Sequence, residues 1–379
     1  MSSDHADKPG AQACPSAAPG SAENSTKAPC RRRVALVMPV RNEEDAVDAT
    51  MAAVFNSTRL PDEIIVADAL SSDATVERLL PWQQRGVPLK VVRNSTIYCG
   101  GGRNVAARNS SSDVIVIVDF GNPVFPGYIE EMVRPFEEQD GIDVTMGILL
   151  PLMHTPFEHC MGTIYYDENI LLRNYSLAQK QALLPAVLLP GGGCIAMTRS
   201  FLERMGGYPE WLARSQDRLF SRKAHGLGVR IAVAWDAYCY NHVRSNPWQV
   251  WRMAYGWARC NGQSRYLRKH LLKALPFYGL IVALLAWSPA QPLAALAAFG
   301  LFMAYTAKAG YRRLLRVDGG LRDVSYLWHV PALLAAGDLA TIAGHAVGWF
   351  EWCLRPELRR AYYAYVEGCP PALLPVVER

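Results

Sequence analysis

The chain has 379 residues, half of them hydrophobic, and a formal net charge of +5. That length exceeds a usual single domain, so one soluble domain joined to an apolar part is the natural reading. The charge surplus is small and its basic residues gather around the apolar segments, which argues against a nucleic-acid partner and for an anionic membrane face.

Residues 1–30 are rich in Ala, Ser, Pro and Gly with almost no large apolar side chains, the composition of a disordered tail. They lack the continuous apolar core of a signal peptide, so the chain is expected to begin in the cytoplasm. Cysteines at positions 14, 30, 99, 160, 194, 239, 260, 353 and 369 show neither CxxC pairing nor metal spacing and read as reduced thiols.

After Arg31-Arg32-Arg33, the run Val34 to Val40 reads as a first parallel strand, followed by a turn at Arg41-Asn42-Glu43-Glu44 and a helix. Ile64 to Ala67 forms a second strand ending at Asp68, and Ser71, Ser72 and Asp73 offer caps for a helix that buries Val76 and Leu79. Leu89 to Val92 is a third. Gly100-Gly101-Gly102-Arg103-Asn104 then leads into a short helix and into the β-branched run Val114 to Val118, a fully buried strand that delivers Asp119. Gly121 allows close backbone approach to a ligand, and Asn122-Pro123 ends the strand. An acid there is either a turn residue or a crevice residue. Strands alternating with helices argue for an α/β, Rossmann-like domain with a mainly parallel sheet, and polar residues at three successive carboxyl ends place a nucleotide in the crevice.

These residues carry a resemblance. Val37-Met38-Pro39-Val40-Arg41-Asn42-Glu43-Glu44, Asp62 to Asp68 with Ser71-Ser72-Asp73-Ala74-Thr75, and Gly102-Arg103-Asn104 before Asp119 resemble the nucleotide-binding half of family-2 GT-A glycosyltransferases, nucleotide-diphospho-sugar transferases by fold. The resemblance covers about residues 33–265 and extends to membrane-associated bacterial enzymes similar to succinoglycan-type glucosyltransferases. It implies donor-nucleotide contacts from Pro39, Arg41, Glu43, Asp68, Arg103 and Asp119, with Asp68 on the base and Arg103 near base or phosphates. Ala69 stands where many relatives carry a second acid, which leaves base preference open.

The family's Asp-x-Asp metal motif falls on Asp119-Phe120-Gly121, so the second carboxylate is absent. The resemblance implies a divalent cation, Mn²⁺ or Mg²⁺, at Asp119. Asn122 is a candidate oxygen ligand and His242, after Ala237 to Asn241 at the end of a strand, a candidate nitrogen ligand that would favour Mn²⁺; a structural hydrogen-bonding role for His242 stays open.

Gly191-Gly192-Gly193-Cys194 followed by Phe201 to Pro209 resembles the stretch beside the acceptor pocket. Ser215-Gln216-Asp217 matches the family's Glu-Asp motif with Gln216 for the glutamate. Asp217, at a helix start, is the expected general base of an inverting transfer; capping that helix is the alternative. In the amphipathic stretch from Asn246 to Arg259, Gln249 and Arg252 match Gln-x-x-Arg-Trp, with Met253 for the tryptophan. The acceptor and diphosphate set is thus Gly192, Gly193, Gln216, Gln249 and Arg252, and the incomplete signature speaks against a processive synthase. Trp248, Trp251, Tyr255 and Trp257 suit either sugar stacking or packing.

Beyond the 31–265 domain, residues 271–307 are nearly uncharged and broken by Ser288-Pro289-Ala290-Gln291-Pro292, a hairpin of two membrane helices. Arg265, Arg268 and Lys269 before it, and Lys308, Arg312, Arg313 and Arg316 after it, place both ends in the cytoplasm. A third apolar segment, about 327–354, carries His329, Asp338, His345 and Glu351 and reads as interfacial or re-entrant within the membrane-associated region 266–355. Residues 356–379 form a C-terminal tail.

The function expected is metal-assisted transfer from a nucleoside-diphosphate-sugar to a lipid-linked or envelope polysaccharide acceptor. The enzyme would sit at the inner, cytoplasmic membrane with its catalytic domain facing the cytoplasm. A catalytically silent sugar-nucleotide or polysaccharide-binding membrane protein is the alternative of another class.

Overall fold

The computed structural model describes residues 31–172, 175–176, 178–179, 192–267 and 269–367. The N-terminal tail 1–30, Gly191, Arg268, the final residues 368–379 and, with them, Cys14, Cys30 and Cys369 lie outside the described residues. The six other cysteines are free thiols.

Strands β1 (Val34–Val40), β2 (Glu63–Asp68), β3 (Leu89–Arg93), β4 (Val114–Val118), β5 (Val144–Leu152), β6 (Cys194–Thr198) and β7 (Ile231–His242) form one sheet, ordered β3-β2-β1-β4-β6-β5-β7. All described pairings are parallel except those of β6, which runs antiparallel to β4 and β5. Every residue of β2 and β4 is buried because helices cover both faces, which is why these strands read as continuous apolar runs. Alternate residues divide between two cores. Leu36, Met38, Val116 and Val118 pack on helices α1 (Val47–Phe55), α2 (Thr75–Leu79) and, further along the chain, α4 (Tyr128–Glu138). Val37, Ile115, Ile117 and Ile195 face α3 (Cys99–Arg108), α6 (Arg199–Met205) and α7 (Gln216–Gly226).

The strand directions gather the polar ends. Val40 pairs with Asp68 and Leu152 with His242, while Val118 pairs with Cys194 at the start of the antiparallel strand. The residues after β4 and before β6 therefore meet on the edge where β2 and β7 also end.

Helix α5 (Pro156–Leu172) lies between β5 and the C-terminal half. Helix α8 (Pro247–Gln263) follows β7, and α9 (Lys269–Trp287) and α10 (Pro292–Thr306) make the hairpin. A π-helical turn, Ala307–Tyr311, leads into α11 (Arg312–Asp318); α12 (Tyr326–Leu354) and α13 (Pro356–Val366) follow. Three stretches, His270–Trp287, Pro292–Asp318 and Tyr326–Leu354, are long and apolar enough to cross a membrane. The hairpin breaks where Ser288 to Pro292 stand.

The third apolar segment is one 29-residue helix. It lies along α8 with almost no side chain between the backbones: a Cβ at Gly344 would come 2.4 Å from the Tyr255 carbonyl oxygen, and one at Gly348 1.9 Å from that of Arg259. Its carboxylates are bundle contacts. Arg259 Nε donates to Glu351 Oε2 at 2.8 Å and Gln263 Nε2 donates to it at 2.7 Å. Asp338, buried, accepts from Tyr278 and Tyr305 hydroxyls at 3.0 and 2.5 Å on Oδ2 and lies 2.6 Å from His270 Nε2 through Oδ1, tying α12 to both arms of the hairpin. Residues 356–366, read from sequence as tail, form α13, whose buried Tyr362 packs with Leu212 and Leu219 of the α/β domain.

Candidate active site

The glycine run Gly100-Gly101-Gly102 forms the buried first turn of α3 and is packed on all sides. A Cβ at Gly101 would overlap the Thr96 hydroxyl at 1.8 Å, and one at Gly102 would reach Pro39 Cβ at 2.9 Å. Glycine thus seats α3 against the end of β1, and Pro39 serves as that seat. The seating drives Arg103 under the sheet edge, where its side chain is only 2% exposed.

Arg103 Nη2 donates to Asp119 Oδ1 at 2.7 Å, and the guanidinium lies 5.2 Å from the Tyr208 ring. Its Nε and Nη1 are buried without a hydrogen-bond partner. Cys99 Sγ is 3.8 Å from the same carboxylate oxygen; burial pushes this thiol up to about 12, so it stays protonated and donates. Gly192 and Gly193 close the other side. A Cβ at Gly192 would lie 2.6 Å from Arg103 Nη1, and one at Gly193 2.6 Å from Asp119 Oδ2. The small residues before β6 are therefore required by the arginine and the acid they cover.

These groups line one cleft of about 730 Å³ together with Asn122, Gln216, Asp217 and His242. Asp217 stands in the first turn of α7, where its Oδ1 accepts from the backbone N–H of Arg218 at 2.9 Å. Gln216 is buried with its Oε1 unpartnered. The cleft also takes in residues for which sequence reasoning had no signal, among them Tyr98, Tyr166, Asn169, Arg214 and Arg244. Arg214 directly precedes the Ser-Gln-Asp stretch and Arg244 follows His242 by two, a proximity to motifs that could have marked them.

An adjoining pocket of about 650 Å³ is lined by Glu43, Gly121 and again His242. Gly121 has φ +84°, and a Cβ there would lie 3.3 Å from Glu43 Oε2. Glu43 thus brings a carboxylate beside the position where Asp-x-Asp lacks its second one; burial and then the Asp73 charge push its carboxyl upward. Asp68 is nearly buried at the end of β2 and accepts from the Ser71 N–H at 3.2 Å, and Arg41 is exposed in the neighbouring turn.

Gln249 and Arg252 do not line the cleft. Asn246 caps α8 by accepting from the Gln249 N–H at 3.0 Å, and Gln249 Oε1 accepts in return from the Ser245 N–H at 3.0 Å. Gln249 is thus engaged in a reciprocal cap, while Arg252 is exposed.

Open α/β sheets bind ligands in the crevice at their strand ends, and the polar cleft lies there. Residues 35–206 match the family model described as Glycosyl transferase family 2. A protein of Haemophilus influenzae described as an uncharacterized glycosyltransferase is 26% identical over 111 residues, 29% of this chain and 36% of the relative. The match thus spans about a third of that relative's length. Among solved structures, the mannosyltransferase PcManGT from Pyrobaculum calidifontis, in complex with GDP-Man and Mn²⁺, shares the fold. Its TM-score is 0.50 at 17% identity, over 86% of this chain and 89% of that one.

Proposed function

We propose that this protein is an inverting glycosyltransferase that moves a sugar, of hexosyl type, from a nucleoside-diphosphate donor to a lipid-linked or envelope saccharide at the cytoplasmic membrane. The observation that carries the reading is the cleft itself, in which Asp217 and the Arg103–Asp119 pair line the same space. Asp68, Arg41, Pro39 and Glu43 are assigned to the nucleotide side, with Arg103 reaching its phosphates through the unpartnered Nε and Nη1.

Asp217 takes the proton of the acceptor hydroxyl as that oxygen attacks the anomeric carbon. The bond from that carbon to the diphosphate breaks on the opposite face, and the diphosphate leaves with the electron pair, giving inversion without a covalent intermediate. Gly192, Gly193 and Gln216 border the space left for the sugar and acceptor.

The donor set for a cation is sparse. Among the described residues no group of three His, Cys, Asp or Glu side chains converges as a metal site. Asp119 Oδ2, the Asn122 amide, His242 and Glu43 beside Gly121 suit an ion held chiefly by diphosphate oxygens, as Mn²⁺ or Mg²⁺ is in phosphate sites. Such a cation would neutralise charge on the departing diphosphate. The apolar helices keep the cleft near the membrane, with the catalytic domain on its cytoplasmic side, and raise the effective concentration of a lipid-borne acceptor.

The test is release of nucleoside diphosphate from UDP-, GDP- and dTDP-sugars, with and without Mn²⁺, by wild type and Asp217→Asn. Turnover with one donor, lowered at least a hundredfold in the variant, supports the reading. Equal turnover removes Asp217 as base, and none with any donor favours a silent binding protein.

A further inference from the structure

Within residues 31–265, Arg59, Arg78, Arg103, Arg108, Arg134, Arg204 and Arg259 each have a carboxylate partner among the described residues. Arg214 and Arg244, which line the active-site cleft, have none among the described residues, and neither has Arg252.

The three arginines are neighbours. Arg214 lies over α8 at Gly256, where a Cβ would come 2.8 Å from its Cδ and 2.9 Å from its Nε. Arg252, one turn earlier, is on the same face of that helix. Partial burial and then the neighbouring Arg244 push the Arg214 pKa down; Cys260 opposes this and Arg252 adds to it. The three exposed arginines present one cationic face at the cleft, and guanidinium forks match phosphate oxygens.

The surroundings say what kind of anion. The donor's diphosphate already has Arg103 at the Asp119 end of the cleft, while the wall beside Arg214 and Arg244 carries Met161, Val243, Met253 and Trp257. Met161, Val243 and Met253 belong to the core shared with α12, one of the membrane-length helices. A phosphate attached to a hydrocarbon chain satisfies both the charge and the apolar wall.

We propose that Arg214 and Arg244, with Arg252 beside them, bind the phosphate or diphosphate of a lipid-linked acceptor. The assignment rests on the transferase reading above and narrows its acceptor to an anionic lipid carrier. The sugar-bearing end then lies in the cleft that Asp217 lines, and the chain leaves along α8 toward the apolar helices.

The experiment uses the full chain in detergent and measures affinity for farnesyl diphosphate, farnesol, UDP, GDP and dTDP in wild type, Arg214→Gln, Arg244→Gln and Arg214→Lys. Arg108→Gln, an exposed arginine outside the cleft, is the control. Farnesyl diphosphate is expected to bind wild type at least tenfold more tightly than farnesol. Each Gln variant should lose at least tenfold for farnesyl diphosphate with unchanged Tm and unchanged nucleoside diphosphate affinity, and Arg214→Lys should lie between. Wild-type affinity in both Gln variants overturns the proposal. So does a parallel loss of UDP, GDP or dTDP affinity, which would give the cluster to the donor, and so does farnesol binding as tightly as its diphosphate. Failure of wild type to bind UDP, GDP or dTDP is a separate result that removes the transferase reading and this assignment with it.

Discussion

Arg103 holds Asp119 from below: its Nη2 donates to Oδ1 at 2.7 Å, with the arginine buried and the acid 41% exposed to the cleft. The carboxylate is the only charged partner of that guanidinium among the described residues, so removing it leaves a buried cation uncompensated. Asp119→Ala is expected to cost about 3 kcal/mol, the low end for a broken buried pair because one member is solvated. Urea unfolding in detergent measures this, and a loss under about 1 kcal/mol would deny the pairing.

Gly192 and Gly193 should respond unequally to alanine. At Gly192 the new methyl meets the buried Arg103 guanidinium, which has no room to withdraw; at Gly193 it meets the Asp119 carboxylate, which can turn toward the cleft. Overpacking of about 1–3 kcal/mol is expected for Gly192→Ala, and less for Gly193→Ala. Thermal unfolding of the two variants side by side checks the order, and a reversed order contradicts the geometry.

Glu63 gives an acid-side signature. Burial opposes its ionisation, but hydrogen bonds from Ser112 Oγ at 2.6 Å and Ser111 N at 2.7 Å outweigh it and hold the carboxyl below its ordinary value. A pKa depressed on folding contributes stability that is present above the unfolded pKa of about 4.3 and lost as pH falls through the folded one. Wild type should therefore lose stability in that acid window, and Glu63→Gln should show a flatter pH dependence there. Parallel curves of Tm against pH would refute this.

Asp338 should act as the fastening of the hairpin. Asp338→Ala leaves His270 and the hydroxyls of Tyr278 and Tyr305 without their shared acceptor. The expected result is a Tm several degrees lower and faster proteolytic cleavage near Ser288 to Gln291, with nucleotide affinity unchanged. Unchanged cleavage would show that apolar packing alone holds the three helices.

The strands and the hairpin were legible because buried β-branched runs and a Ser-Pro break carry local signals. What was not legible depends on distance along the chain. Asp338 finds His270 across 68 positions and Glu351 finds Arg259 across 92, so the acids of the third apolar segment make interhelical ties that its local sequence does not reveal. Glu43 meets Gly121 only once β1 and β4 pair, which no spacing rule anticipates. Gln249 shows the converse: a residue matched to a family signature is engaged by its own helix cap. The helix at 356–366 was hidden because Tyr362 finds its core in Leu212 and Leu219, far earlier in the chain.

The crevice at the strand ends is proposed to bind a nucleoside diphosphate through Asp68 at the end of β2 and Arg103 of α3. Thermal shift of wild type, Asp68→Ala and Arg103→Gln across UDP, GDP and dTDP tests it most directly. One nucleotide should raise the wild-type Tm, and both variants should lose that rise. No rise with any nucleotide, or a rise that survives both substitutions, would contradict the account.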